Sequence, residues 1–319
     1  MSWLLPAVNH RPGRVFVCVW AIVVVVLARH VAAQPPAAGT VRTLDLGSDC
    51  RLEVLYVPPG DFLMGSTAKE RAWATGIEGG ATPGTERETY EGEARPMKIR
   101  QGFWMARTEV SVAQFRRFAE DTGYLTDAER PGGKTQCFNP AWKGYQLTTS
   151  VVHPWEPMAG KSWRDPNWQF PQQENFPVVC VSWADARAFC SWLNTREKAA
   201  GRLPEGLEYR LPTDAEWEYA CRAGSSTRWY FGDSPEVLNQ YEWNPGNTWE
   251  QGEPYIHEVG QKLPNPFGLY DMSGNVWEWV SDWYGANYYE QSPEKNPAGP
   301  GTGQFRVLRG GSWSDLPKY

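Results

Sequence analysis

Eighteen tryptophans are spread through a chain that 31 glycines and 26 prolines interrupt. That pairing constrains the fold more than any other feature. Glycine and proline punctuate regular structure too often for long helices or strands, and indole side chains supply the packing that short elements lack on their own. No heptad or solenoid repeat runs through the 319 residues, which sets aside a coiled coil or a repeat array. At 41% hydrophobic and 21% charged, the chain has the apolar surface for a packed core. Removing the first 33 residues, which hold three Arg and no acid, takes the formal charge from −6 to −9. An acidic chain lacks the Lys and Arg that displace counterions, so no nucleic-acid partner is expected.

The N-terminus reads as an address. Arg11 and Arg14 precede an apolar run over 15–27, and Val31, Ala32 and Ala33 follow as a small-residue cleavage site, which leaves Gln34 as the new N-terminus. Thirteen residues are short for a bilayer crossing and right for a signal peptide, with an uncleaved tilted anchor as the alternative. No other run is long enough to span, so no membrane contact is expected beyond this segment, and the protein reads as exported, periplasmic or secreted. Cys18 leaves with the signal. Cys50, Cys137, Cys180, Cys190 and Cys221 remain, an odd number, so in an oxidising compartment one thiol is free or a partner is missing. No C-x-x-C pair is present, which excludes a zinc ribbon or thioredoxin-type motif.

Residues 34–50 are expected as a linker, followed by one domain over 51–319. A first strand is read at 51–58 and a polar, Gly-rich surface loop at 67–93. Ser111 with Gln114 forms a capping box that opens a helix ended by Gly123, with Val112, Phe115, Phe118 and Ala119 inward. Residues 128–173 read as a long excursion packed by aromatics, and 178–181 as a short buried strand. Ser182 and Thr213 cap two more helices, with Asp185 and Glu216 in the box positions. Cys190 on the first and Cys221 on the second face inward, as buried thiols or disulfides. Gly224 stops the third helix. A last strand at 305–309 runs into Gly310, Gly311, Ser312 and Trp313, and the sequence stops at Tyr319 without a closing element, which reads as a truncation.

The densest signal is the stretch 269–279. Asp271 and Glu278 bracket a tight Gly274-Asn275 turn, and such a turn can aim two carboxylates and intervening carbonyls at one centre. Hard oxygen donors of this kind suit Ca²⁺; the alternative is a capped turn whose acids accept backbone N–H bonds. Only His153 and His257 follow the signal, in no H-x-x-x-H spacing, so neither is expected as a metal ligand. No G-x-S-x-G elbow supports a serine hydrolase.

Six blocks together resemble the sulfatase-modifying-factor domain of the formylglycine-generating enzyme family. They are F-L-M-G-S at 62–66, W-M-A-R-T-E-V-S at 104–111, P-V-V-C-V-S-W-A-D-A at 177–186, Y-R-L-P-T-D-A-E-W-E-Y-A at 209–220, 265–279, and R-G-G-S-W at 309–313. They stand in the family's order and span about 51–319. The resemblance implies an irregular, loop-rich α+β fold of C-type-lectin-like form. It implies a structural Ca²⁺ held by the side chains of Asp271 and Glu278 and the carbonyls of Gly274 and Val276. Asn247 lies in the region of a second family calcium site, whose surrounding pattern is not recognisable here.

Catalysis is where the pattern departs. The family oxidises a cysteine in a sulfatase C-x-P-x-R segment to formylglycine with O₂ and Cu⁺ held by two cysteines, in the pattern G-G-S-[YW]-x-C-x-x-x-x-C. Ser312 and Trp277 match pocket positions, but Asp315 stands at the first cysteine, and the second would follow Tyr319. A carboxylate is a poor substitute for a Cu⁺ thiolate, so Cu⁺ is not expected in this chain. Cys190 and Cys221 match two family cysteines whose disulfide partners lie in a final Arg-rich segment. Two functions follow: the family oxidation, with a sulfatase-like or other extended peptide as partner, or a non-catalytic, calcium-stabilised module that binds a peptide or glycan.

Overall fold

Short apolar runs between turn residues set the element order in the computed structural model. It describes residues 35–76, 92–141 and 155–315, with the backbone of 20–22 and 25–27. Part of the N-terminal apolar run forms β1 (Trp20–Ile22) and β2 (Val25–Leu27); the expected cleavage site lies outside the described residues. The segment expected as a linker is in part a strand, β3 (Val41–Gly47), which pairs antiparallel with β4 (Cys50–Val57). Ser48 and Asp49 join them with φ of 53° and 59°, the left-handed pair whose twist matches a hairpin. Only Leu44 and Leu46 of β3 are buried, a thin alternation to read from sequence.

β5 (Gly60–Met64) follows the Pro58-Pro59 turn. The surface loop expected over 67–93 opens instead with a helix, α1 (Ala68–Ala74). Thr67 Oγ1 accepts from Glu70 N at 3.2 Å and Glu70 Oε2 accepts from Thr67 N at 2.7 Å, which makes a capping box. Trp73 of this helix meets Trp229 edge-on, ring centroids 5.6 Å apart. Residues 77–91 lie outside the described residues. β6 (Arg95–Ile99) pairs with β5, and β7 (Phe103–Ala106) is buried along its whole length.

The three helices expected from their caps all form. α2 (Val112–Thr122) starts at Ser111 and ends at left-handed Gly123, φ 62°. The aromatic excursion holds a hairpin, β8 (Lys134–Phe138) with β9 (Trp155–Ala159), in which Phe138 and Trp155 pack with ring centroids 5.9 Å apart. Residues 178–181 are buried but form no strand. Val178 N donates to Val110 O at 2.8 Å, and Cys180 at φ 60° breaks the extended path. α3 (Trp183–Ala199) follows its Ser182–Asp185 box, then β10 (Tyr209–Arg210), then α4 (Asp214–Arg222) behind the Thr213–Glu216 box. The left-handed residue that ends α4 is Ala223, φ 45°, one position ahead of the expected Gly224. α5 (Leu238–Tyr241), β11 (Trp277–Trp283), α6 (Tyr288–Gln291) and β12 (Arg306–Arg309) complete the described chain.

Five strands form one sheet in the order β10-β2-β7-β4-β3, and three form a second, β1-β11-β12, with β1 parallel to β11. Phe115 and Phe118 of α2 pack against Phe189 of α3 at 6.1 and 5.8 Å between centroids, so the helices meet through aromatic rings. One carboxylate in this core is costly. Asp282 on β11 is 3% exposed, and burial and then Asp214 push its carboxyl from an ordinary 3.8 to about 7. A raised acid favours the fold in its protonated form. That contribution is present below about pH 4 and lost as pH rises through about 7. Asp282→Asn keeps an oxygen to accept from Asp214 N, a bond of 3.0 Å, and carries no charge. Urea unfolding should show the variant more stable at pH 8 by about 1–2 kcal/mol, with the difference shrinking at pH 5; equal stability at both pH values would refute the assignment.

Candidate functional site

Three residues of the 271–278 segment take left-handed backbone: Asp271 at φ 54°, Gly274 at 77° and Asn275 at 55°. Gly274 is the one that must be glycine, because a Cβ there would lie 2.3 Å from the Trp243 carbonyl oxygen. Main-chain bonds lace the turn to its surroundings. Gly274 N donates to Gly310 O at 2.9 Å, Asn275 N to Trp243 O at 3.1 Å, and Trp313 N to Asn275 O at 2.9 Å. The same turn therefore fixes the segment that follows β12.

Asp271 and Glu278 are each 1% exposed. Asp271 Oδ2 accepts from Gly260 N at 2.6 Å, and Glu278 Oε2 accepts from Trp217 Nε1 of α4 at 2.5 Å. A third acid joins them. Glu109, just ahead of α2, is wholly buried, and its Oε1 accepts from Asn275 Nδ2 at 3.2 Å. Glu109 Oε2 and Asp271 Oδ1 are buried with no N–H or hydroxyl donor among the described residues, and the two carboxyls lie within hydrogen-bonding reach of each other, so a proton on Glu109 would be donated to Asp271. Burial pushes all three carboxyls up, Asp271 to about 6 and Glu278 to about 8, and the neighbouring acids raise Glu109 further. Negative charge here calls for a proton or a cation.

These residues fit Ca²⁺ by donor chemistry. The acids are hard oxygen donors, Asp271 Oδ1 has no partner but the neighbouring Glu109 carboxyl, and the turn between them carries the carbonyls of Gly274 and Val276. Among the described residues no set of three His, Cys, Asp or Glu side chains is arranged to hold a metal, so an ion here would draw on carboxylates and backbone together. Glu109 and Trp217 are the parts that reading the sequence missed. Glu109 lies inside one of the recognised blocks, but nothing local marks it as a neighbour of a turn so far along the chain.

Ser312 and Trp277 come together with Asp315. Trp277 Nε1 donates to Asp315 Oδ2 at 2.8 Å, Ser312 Oγ donates to the same oxygen, and Ser312 Oγ lies 3.1 Å from Ser314 Oγ. Burial raises the Asp315 carboxyl to about 6 against the pull of its Ser312 and Trp277 donors. Trp313 packs on Phe138 and Trp155 of the β8–β9 hairpin, centroids 6.0 and 5.9 Å away. The donors of this segment are a carboxylate and hydroxyls, which do not fit Cu⁺.

The remaining candidates offer neither group a metal-ligating side chain, although two of them touch the turn: His257 N donates to Asn275 Oδ1 at 3.1 Å, and Cys221 Sγ lies 3.6 Å from Met272 O. His257 stacks on Trp243 at 3.7 Å between centroids, and its Nε2 lies 3.1 Å from Glu253 Oε2. His153 lies outside the described residues. Asn247 caps its own turn, its Oδ1 accepting from Asn244 N at 2.9 Å. Cys190 and Cys221 are buried, and burial pushes the Cys190 thiol up to about 12, which leaves it unreactive.

Short helices and small sheets around a laced turn define an irregular α+β domain of the formylglycine-generating type. The fold matches PvdO from Pseudomonas aeruginosa with a TM-score of 0.61 at 24% identity, over 89% of this chain and 90% of that one. The chain belongs to the family of the sulfatase-modifying factor enzyme 1-like domain, which matches residues 46–319. It is 36% identical to the formylglycine-generating enzyme of Streptomyces coelicolor over 271 residues, 81% of this chain and 77% of that protein. It is also 31% identical over 284 residues to the inactive C-alpha-formylglycine-generating enzyme 2 of Mus musculus, 85% of this chain and 78% of that protein. It spans less than two thirds of the mammalian formylglycine-generating enzymes it matches.

Proposed function

We propose that this chain is an exported, calcium-stabilised member of the family that holds an extended, sulfatase-like peptide and does not carry out copper-thiolate oxidation. Asp315 carries the reading. It stands where the family pattern has its first copper cysteine, and its Oδ2 is already engaged by Trp277 and Ser312. Asp271 and Glu278, with the carbonyls of Gly274 and Val276, would hold the calcium. The ion would supply charge neutralisation within the buried turn, and through Gly274, Asn275 and Trp313 it would stiffen the segment that presents Ser312 and Asp315.

The test is a C-x-P-x-R peptide titrated into copper-treated protein under air, with binding followed by fluorescence anisotropy and the peptide by mass spectrometry. Saturable binding with the cysteine thiol intact is expected. Conversion of that thiol to an aldehyde, catalytic in protein, would sink the reading and favour the oxidase that the 36% identity to the Streptomyces enzyme suggests. Binding of a glycan array in place of the peptide would keep the module and change its ligand. Export is tested separately by the mature N-terminus, expected at Gln34; retention of residues 1–33 would show an anchor. Cleavage there would remove β1 and β2 and free the edges of β11 and β7 that they cover.

A further inference from the structure

Two thiols that belong to neither site face each other in the core. Cys137 on β8 and Cys180 ahead of α3 are 0% and 2% exposed, and their Sγ atoms lie 3.6 Å apart across 43 residues of sequence. Cys180 keeps a left-handed φ of 60° although it carries a Cβ, a conformation that its surroundings must impose. Its thiol also lies 3.2 Å from Gln136 O, which turns it toward β8. All five cysteines among the described residues stand as free thiols, and Cys137 with Cys180 is the pair whose sulfurs meet. We infer that Cys137 and Cys180 form a structural disulfide that staples the β8–β9 hairpin to the core beneath Trp313.

A disulfide needs its sulfurs at about 2.05 Å, so the pair must close by about 1.5 Å, the scale of a side-chain rotation. Buried thiols react as the chain folds, before the core shuts them in. The Cys137 thiolate attacks a low-molecular-weight disulfide such as oxidised glutathione and releases one glutathione thiol. The Cys180 thiolate then displaces the second, so two electrons and two protons leave the protein and one S–S bond forms. The bond closes a loop containing Trp155, Trp163 and Trp168. Two residues of the hairpin, Phe138 and Trp155, are the ones on which Trp313 rests. The pairing also accounts for two of the five cysteines left after the signal.

An exported protein would meet such an oxidant, but the experiment does not depend on export. Full-length protein is refolded in a glutathione redox buffer, acid-quenched, denatured, alkylated and digested without reductant. A cross-linked peptide joining Cys137 to Cys180 is expected in mass spectra, with neither residue alkylated. Alkylation of both, or a cross-link from either to another cysteine, would overturn the assignment. The oxidised protein should melt about 10 °C above the same protein reduced with a phosphine, and the Cys137→Ser/Cys180→Ser variant should show no such redox dependence. Identical melting of oxidised and reduced wild type would refute the staple even if the bond forms. The phosphine comparison decides this where the serine variant fails to fold.

Discussion

Arg309→Met is expected to cost about 3–5 kcal/mol of folding stability, because it leaves buried acids without their cation. Arg309 on β12 is wholly buried. Its Nε donates to Asp214 Oδ1, and its Nη2 donates to Glu218 Oε2 at 3.2 Å and to the Tyr289 hydroxyl at 2.9 Å. Tyr289 in turn donates to Asp214 Oδ2 at 3.2 Å. Glu218 has further partners, Arg222 Nε at 2.9 Å and Gly65 N at 2.8 Å. The loss therefore falls mainly on Asp214, the first residue of α4. Methionine fills much of the arginine volume, so a packing defect adds little. Adding Asp214→Asn should recover a substantial part of the loss, since the stranded charge is gone, whereas Glu218→Gln should recover less. Urea denaturation of the single and double variants decides between them. A loss below about 1 kcal/mol for Arg309→Met would mean that water reaches Asp214 and the pair is not truly desolvated.

Helix starts were legible because a capping box is local chemistry. Ser111, Ser182 and Thr213 each hold both bonds that the sequence implies. The same box at Thr67 and Glu70 went unread because α1 is seven residues long and offers only a thin apolar face. At 178–181 an apolar run promised a strand, but burial in irregular structure uses the same residues, and the left-handed Cys180 is invisible in composition. The candidate site divides the same way. Asp271 and Glu278 share one turn, so their proximity follows from spacing. Glu109 and Trp217 reach that turn across 166 and 61 residues, and such contacts are a product of topology. Asp315 was readable only against the family pattern. Its grip on Trp277 and Ser312 is tertiary information.

Calcium should raise the melting temperature of chelator-stripped protein. At about 100 times its Kd a ligand adds ~2.7 kcal/mol, a rise of about 5–10 °C for a domain of this size. Magnesium should do less, because it demands tighter octahedral geometry and gives up water reluctantly. The decisive variants are Asp271→Asn and Glu278→Gln. Each keeps an oxygen for its present donor, Gly260 N at 2.6 Å or Trp217 Nε1 at 2.5 Å, and each removes one buried negative charge. If the acids serve a cation, both variants lose most of the calcium increment while the metal-free protein stays as stable as wild type or gains, since uncompensated charge has been taken out of the core. If the acids only cap the turn, calcium does nothing to wild type and the variants show no ion-dependent difference. Glu109→Gln sharpens the distinction. It relieves the repulsion against Asp271 without removing either proposed carboxylate ligand, so it should preserve the calcium response. A loss of response in that variant would add Glu109 to the ligands, and no response in wild type would remove the ion from this turn.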